Sequence, residues 1–350
     1  MAKVRFGDIV RDVKINVDRE NNPYEHYIAG DHMDSEDLTI HRYGSFATDD
    51  VGPAFTRIFK PGQILYGSRR TYLKKVAVAE FEGICANTTF VFESNDEAVL
   101  DNRILPFIML SDAFTRWSIA HSKGSTNPYV LFSDLADFEF ELPPVAEQKV
   151  LADKLWAAYR LKESYKKLLA ASQEMVKSQF IEMFSSCESN KSLCDICRPK
   201  QWPTIQTKDF TDEGYLVYGA NGVIGHYKDY NHENPTILMA CRGASCGAIN
   251  VSEPKSYITG NAMCLDDVSD EVLFDYLVHF LKYYDYKTVI TGGAQPQITV
   301  TNLQKISVPI PKMEEQKRFE IICHQADKSG FELRKSIESI DAVIKSLINS

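Results

Sequence analysis

Apolar residues recur along this chain with two different periods. Short runs dense in β-branched and aromatic residues, bounded by Gly, Asp and Asn, predict strands at Gln63 to Tyr66, Lys75 to Ala79 and Thr88 to Phe92. Leu100 to Trp117 and Val272 to Tyr286 carry apolar residues at helical spacing and predict helices packed on such strands. Two further stretches, Glu147 to about Phe184 and Glu314 to about Ile348, contain no proline and are rich in Glu, Lys, Leu, Ala and Gln. Each predicts one long helix, roughly 50 to 57 Å at a rise of 1.5 Å per residue. The prolines just before them, Pro143-Pro144 and Pro309-x-Pro311, favour an extended lead-in, and Glu-Gln-Lys suits a first helical turn. In the second helix Ala326, Leu333, Ile337, Ile340, Ile344 and Leu347 keep the 4-3-4-3 spacing of a coiled-coil seam, broken at Gly330. The first is less regular, with Tyr165, Leu169, Val176 and Met183 in register and Ser172 and Gln179 between them. Such a seam requires a partner, either the other long helix of the same chain or a second copy.

This order of elements occurs twice. Leu142-Pro143-Pro144-Val145-Ala146-Glu147-Gln148-Lys149 returns as Ile310-Pro311-Lys312-Met313-Glu314-Glu315-Gln316-Lys317, an offset of 168 residues. At that offset Gly124, Pro128 and Leu135 fall on Gly292, Pro296 and Leu303, and Asn127 and Val130 fall on Gln295 and Ile298. Gly62 to Arg69 resembles Pro235 to Arg242 at an offset of 173, with Asn87 set against Asn261, so a loop differs in length between the halves. Phe6-Gly7-Asp8-Ile9-Val10 lines up with Leu193-Cys194-Asp195-Ile196-Cys197. The expected fold is α/β of the α+β kind, an internal repeat with pseudo-two-fold symmetry: a globular domain over residues 1–143, a spacer helix over 144–188, a second domain over 189–311 and a second spacer over 312–350.

Composition narrows the function. With 350 residues, 44% apolar and 25% charged, the chain is globular and long enough for two domains. No window approaches the roughly 18 uninterrupted apolar residues of a membrane span, and Met-Ala-Lys-Val-Arg-Phe-Gly-Asp has no signal-peptide core, so the cytoplasm is the expected location and no membrane partner is expected. The eight cysteines are scattered, and Cys194-x-x-Cys197 is the single zinc-type hook, with His226 and His232 at no regular spacing from it. Because those two cysteines match Gly7 and Val10 of the other copy, they read as packing residues and no metal is expected. A net charge of −9 is wrong for a protein that grips phosphates unaided, so the chain either binds no DNA or has partners that supply much of the grip.

The doubled plan resembles the specificity subunit of type I restriction-modification enzymes. The resemblance covers essentially the whole chain and is carried by Leu142 to Lys149, Ile310 to Lys317, Leu216-Val217-Tyr218-Gly219-Ala220-Asn221-Gly222-Val223-Ile224-Gly225, and Gly292-Gly293-Ala294-Gln295-Pro296-Gln297-Ile298. It implies two target-recognition domains, each reading one half of a split double-stranded DNA site, with the helices as a ruler between them. It also implies partners: two methyltransferase subunits and, for cleavage, two motor-nuclease subunits. S-adenosylmethionine, ATP and Mg belong to those subunits; no cofactor and no catalytic residue is expected on this chain. Two similar modules held by antiparallel helices meet the major groove alike about one helical turn (~34 Å) apart, and their different sequences imply an asymmetric target.

Base reading needs donors and acceptors on loops, with Arg or Lys toward guanine and Asn or Gln toward adenine. The first candidate loop is Ser68 to Lys75, with Arg69, Arg70, Thr71, Tyr72, Lys74 and Lys75. Its counterpart holds Arg242 and Ser245, where small residues permit close backbone approach to a phosphate. The loops with Lys123, Ser125 and Asn127, and with Gln295 and Gln297, pair amides with glycine and proline, while Tyr218, Asn221 and His226 flank the Gly219-x-x-Gly222-x-x-Gly225 tract. That tract lacks the G-x-G-x-x-G spacing and following helix of a dinucleotide site. Two other readings stand beside DNA recognition. One is a coiled-coil adaptor binding proteins. The other is a self-contained adenine methyltransferase, whose nearest motif is Asn127-Pro128-Tyr129, with one proline and no S-adenosylmethionine loop.

Overall fold

The structure is a computed structural model that describes residues 2–18, 21–292 and 295–349; Gly293 and Ala294 of the second amide loop lie outside them. The chain forms two compact units, one of Met1–Tyr165 with Lys335–Ser350 and one of Lys166–Arg334.

The first unit holds a four-stranded sheet in the order Val10–Asp12, Thr89–Ser94, Ile64–Gly67, Val76–Val78 and a second in the order Gly44–Ser45, His26–Ile28, Gly83–Ala86, Phe55–Phe59. The second unit repeats the first sheet as Arg198–Lys200, Ala262–Asp266, Ile237–Ala240, Ile249–Val251 and replaces the other with three strands, Gly222–Tyr227, Tyr215–Gly219 and Tyr257–Ile258. The repeat extends to register. Ile64 pairs with Phe92 and Val78 as Ile237 pairs with Leu265 and Val251, all at the 173 offset. Because that offset runs unbroken through the pairing of Gly67 with Thr89 and of Ala240 with Ala262, Asn87 corresponds to Gly260, one residue from the sequence match to Asn261. In each unit a short edge strand pairs with the strand leading into a long helix: Ala2 with Leu142 in one, Asn190 with Pro309 in the other.

Leu100 to Trp117 is not one helix but two, Leu105–Leu110 and Asp112–Ala120. Pro106 in the first turn lacks the amide that would continue a helix backward from it. Ser111 is extended between the two and caps the second, accepting from Phe114 N–H. The counterpart in the second unit is a single helix, Phe274–Tyr283. These helices cover the first sheet of their unit. Phe6, Tyr66, Phe92, Phe107 and Phe114 fill the core in one, and Met239, Leu265, Tyr276, Leu281 and Phe319 in the other.

The long helices run Val145–Phe184 and Met313–Asn349. Within the first unit Lys162 Nζ meets Asp341 at 2.6 Å, and Ile344 is buried in the same core as Leu155 and Tyr159. Within the second, the rings of Phe180 and Phe319 lie 5.3 Å apart, and a Cβ at Gly330 would stand 3.3 Å from Leu169 Cδ1. Within each unit rising numbers on one helix meet falling numbers on the other, so the two segments there pair antiparallel, and in the second unit Gly330 admits Leu169. The buried edge of the first helix passes through Ala152, Leu155, Tyr159, Lys162, Val176, Phe180 and Phe184. Its use of a buried lysine explains why an apolar pattern captured it poorly.

The Glu-Gln-Lys repeat has a structural cause. Gln148 is fully buried; its Oε1 accepts from Asp101 N–H, and its Nε2 donates to the carbonyls of Val99 and Pro143. Gln316, also fully buried, accepts from Leu273 N–H and donates to Glu271 and Pro311. Each glutamine satisfies three backbone groups that burial would otherwise leave unmatched, fastening the first turn of a long helix to its module.

Candidate nucleic-acid interface

In both units one loop leaves the central strand of the repeated sheet and is clipped to a second loop. In the first unit Arg70 N–H donates to Pro128 O at 2.7 Å and Val130 N–H to Ser68 O at 3.0 Å, while Lys123 and Tyr129 exchange both backbone bonds. In the second, Gly243 N–H donates to Pro296 O and Ile298 N–H to Cys241 O, both at 3.0 Å, and Thr291 and Gln297 exchange both bonds. Isolated bridges join Arg69 to Tyr129 and Arg242 to Gln297. Each unit therefore presents one platform made of two loops with the same hydrogen-bond scheme, and Arg69 and Arg242 occupy equivalent exposed positions on it.

The loop conformation also repeats. Arg70 (φ 49°) and Lys74 (φ 47°) are left-handed where Gly243 (φ 76°) and Gly247 (φ 93°) stand in the other unit. Glycine takes that conformation freely, whereas a side chain pays about 1–2 kcal/mol for it. The first unit bears that cost at two cations, bracketing the tight turn Thr71–Leu73.

The sequence candidates separate by burial and partner. Arg69, Arg70 and Arg242 are exposed and make no ion pair among the described residues. Tyr72 is 53% exposed beside them, and Ser125, Asn127, Gln295, Gln297 and Asn221 are exposed. Ser245 is half-buried. Thr71 is buried against Ser122, and Tyr218 is buried with its hydroxyl accepting from Glu253 N–H, so neither side chain presents a surface. Lys74 is drawn to Glu36 at 2.8 Å and Asp112 at 3.6 Å, Lys75 donates to Gly30 O, and Lys123 is paired with Asp134 at 2.9 Å. Tyr129, exposed and bridged to both Arg69 and Lys123, was missing from the candidates, although the 168 offset sets it against Gln297. The glycine tract is a hairpin, with Gly219 paired to Gly222 across Ala220-Asn221 and Asn250 Nδ2 donating to Ala220 O. Strand follows strand there, which is not the strand-to-helix turn that cradles a dinucleotide.

The chain matches known proteins along nearly its whole length. Residues 13–171 and 188–340 match the family model described as type I restriction modification DNA specificity domain. Two Escherichia coli proteins, the type I restriction enzyme EcoprrI and EcoDI specificity subunits, are each 28% identical, over 102 and 144 residues, 29% and 41% of this chain. Those alignments cover 25% and 31% of the two relatives' own lengths. Among solved structures, the S subunit of a type I restriction-modification system from M. genitalium superposes with a TM-score of 0.61 at 17% identity, covering 99% of this chain and 94% of that one. A chain from a type I R-M system studied for complex assembly and conformational transition gives 0.57 at 18% identity, covering 99% and 96%. The two structural likenesses show the fold, and the family match spans both repeats: the chain belongs to the type I restriction modification DNA specificity domain family.

Proposed function

We propose that this chain is the DNA-specificity subunit of a type I restriction-modification assembly, each unit reading one part of an interrupted, asymmetric site. The observation that carries the reading is the platform found twice, with an exposed arginine that makes no ion pair among the described residues at the same place in each copy and different side chains around it. An arginine offers bidentate donors to guanine O6 and N7, and Gln295, Gln297 or Asn127 offers the matching pair to adenine, each good bidentate contact being worth about 1–3 kcal/mol of discrimination. Arg70 and Tyr72 flank the reader and serve the sugar-phosphate backbone, which positions without specifying. The long helices hold the readers at a set spacing and dock methyltransferase subunits, which bring S-adenosylmethionine and the positive charge this acidic chain lacks. Motor-nuclease subunits with ATP and Mg would complete the restricting form.

Methylome sequencing of cells that express the chain with its neighbouring methyltransferase gene tests this. Arg69→Ala is expected to relax one half of the methylated motif and Arg242→Ala the other. Equal loss at both halves contradicts independent readers, and association with the methyltransferase without any DNA preference favours the adaptor reading.

A further inference from the structure

The second unit contains a mixed nitrogen, sulfur and oxygen cluster that DNA recognition does not use. His232, Cys264 and Asp266 each present one ligand atom, all within 4.8 Å of one another. Cys264 and Asp266 lie two apart on one strand and so face the same side of the sheet. His232 comes from the segment between the exposed hairpin and the central strand.

The surrounding hydrogen bonds fix the state of the imidazole. Asn231 Nδ2 donates to Ile258 O at 3.0 Å and its Oδ1 accepts from Ile258 N–H at 2.8 Å, so the amide cannot flip without breaking both. Its Oδ1 lies 2.7 Å from His232 Nδ1, which must therefore carry a hydrogen and donate. The other nitrogen, Nε2, lies 3.1 Å from Asp266 Oδ1. In a neutral imidazole two lone pairs would then face each other inside the protein. A cation has to lie between them, either a proton or a metal ion. The remaining carboxylate oxygen, Oδ2, accepts from Trp202 Nε1–H at 3.0 Å. Both groups thus have their outward atoms held by neighbours and their inward atoms converging, as in metal sites whose outer hydrogen bonds orient the ligands.

We propose that His232, Cys264 and Asp266 bind a divalent transition-metal ion of the zinc type, fastening the segment around Asn231 and His232 to the repeated sheet of the second unit. Imidazole, thiolate and carboxylate are the donors zinc takes, usually in a tetrahedral set. A cavity of 440 Å³ lined by Trp202, His232, Thr236 and Asp266 adjoins two of the three ligands, with Cys264 buried behind them. A bound metal ion would take the Cys264 sulfur as the thiolate. The first unit does not repeat these ligands, since the shared register puts Val91 and Glu93 at the positions of Cys264 and Asp266. The Cys194-x-x-Cys197 pair lies elsewhere, with the Cys197 sulfur directed at Leu193 O and that of Cys194 toward Val300 O.

Titration of the chelator-treated full chain with cobalt(II) tests the site, because a thiolate-to-cobalt charge-transfer band reports sulfur ligation. About one equivalent is expected to bind, with the band lost in Cys264→Ser and kept in the Cys194→Ser/Cys197→Ser double variant. Asn231→Ala keeps all three ligands but frees the imidazole, and should weaken cobalt affinity about 10- to 100-fold while circular dichroism stays native. No band in the wild-type chain, or a band that survives Cys264→Ser and vanishes in the double variant, overturns the proposal. The first of these outcomes assigns the bridging cation as a proton.

Discussion

Replacing Gln148 by Leu removes three hydrogen bonds while nearly preserving volume. Asp101 N–H loses its acceptor, and the carbonyls of Val99 and Pro143 lose their donor. The glutamine is fully buried, so water cannot take over these partners without opening the packing. A buried polar group stripped of its partner costs about 1–3 kcal/mol. Three of them, less the gain from burying an apolar side chain, give an expected loss of about 1–6 kcal/mol, a large share of the ~5–15 kcal/mol that stabilises a typical domain. Gln316→Leu should cost a similar amount, because its three partners are equivalent. Urea unfolding followed by tryptophan fluorescence separates the two in Trp202→Phe and Trp117→Phe/Trp156→Phe backgrounds, since Trp117 and Trp156 belong to the first unit and Trp202 to the second. The Gln148 variant should lower the midpoint reported by Trp117 and Trp156, and the Gln316 variant the midpoint reported by Trp202. A loss below about 1 kcal/mol in either would refute the claim that these side chains act as buried backbone partners.

Two further outcomes follow from geometry. Arg70→Gly removes a left-handed side chain costing about 1–2 kcal/mol and returns about 0.4–1 kcal/mol in unfolded-chain freedom, so thermal unfolding should show a gain of roughly 0.5–1 kcal/mol while DNA affinity of the assembled complex falls; a less stable variant contradicts this account of the loop. Hydrogen bonding from Arg103 holds the Asp101 carboxyl below its usual range, so the stability from this pair is complete above the ordinary aspartate value of about 3.9 and is lost as pH falls through the lower folded value. Arg103→Gln should therefore lower stability above about pH 4 and converge with the wild type at lower pH, making the acid limb shallower, and an equal loss at every pH would show that ionisation of Asp101 plays no part.

The sequence by itself determined the doubled plan, three of the four strands of the first unit's repeated sheet and both long helices, because proline placement, β-branched runs and helical periodicity act locally. It also led to the two-loop candidates, since the offset between copies carried Arg69 onto Arg242. What only the tertiary structure decided was which candidates remain available. Thr71 and Tyr218 are buried, and Lys74 and Lys123 are held by carboxylates, because partners such as Glu36 and Asp112 lie far from them along the chain. The role of Gln148 and Gln316 as backbone partners and the meeting of His232 with Cys264 and Asp266 were likewise decided by long-range packing. Burial and pairing are properties of neighbours in space, and a linear pattern records them only where those neighbours are also neighbours in sequence.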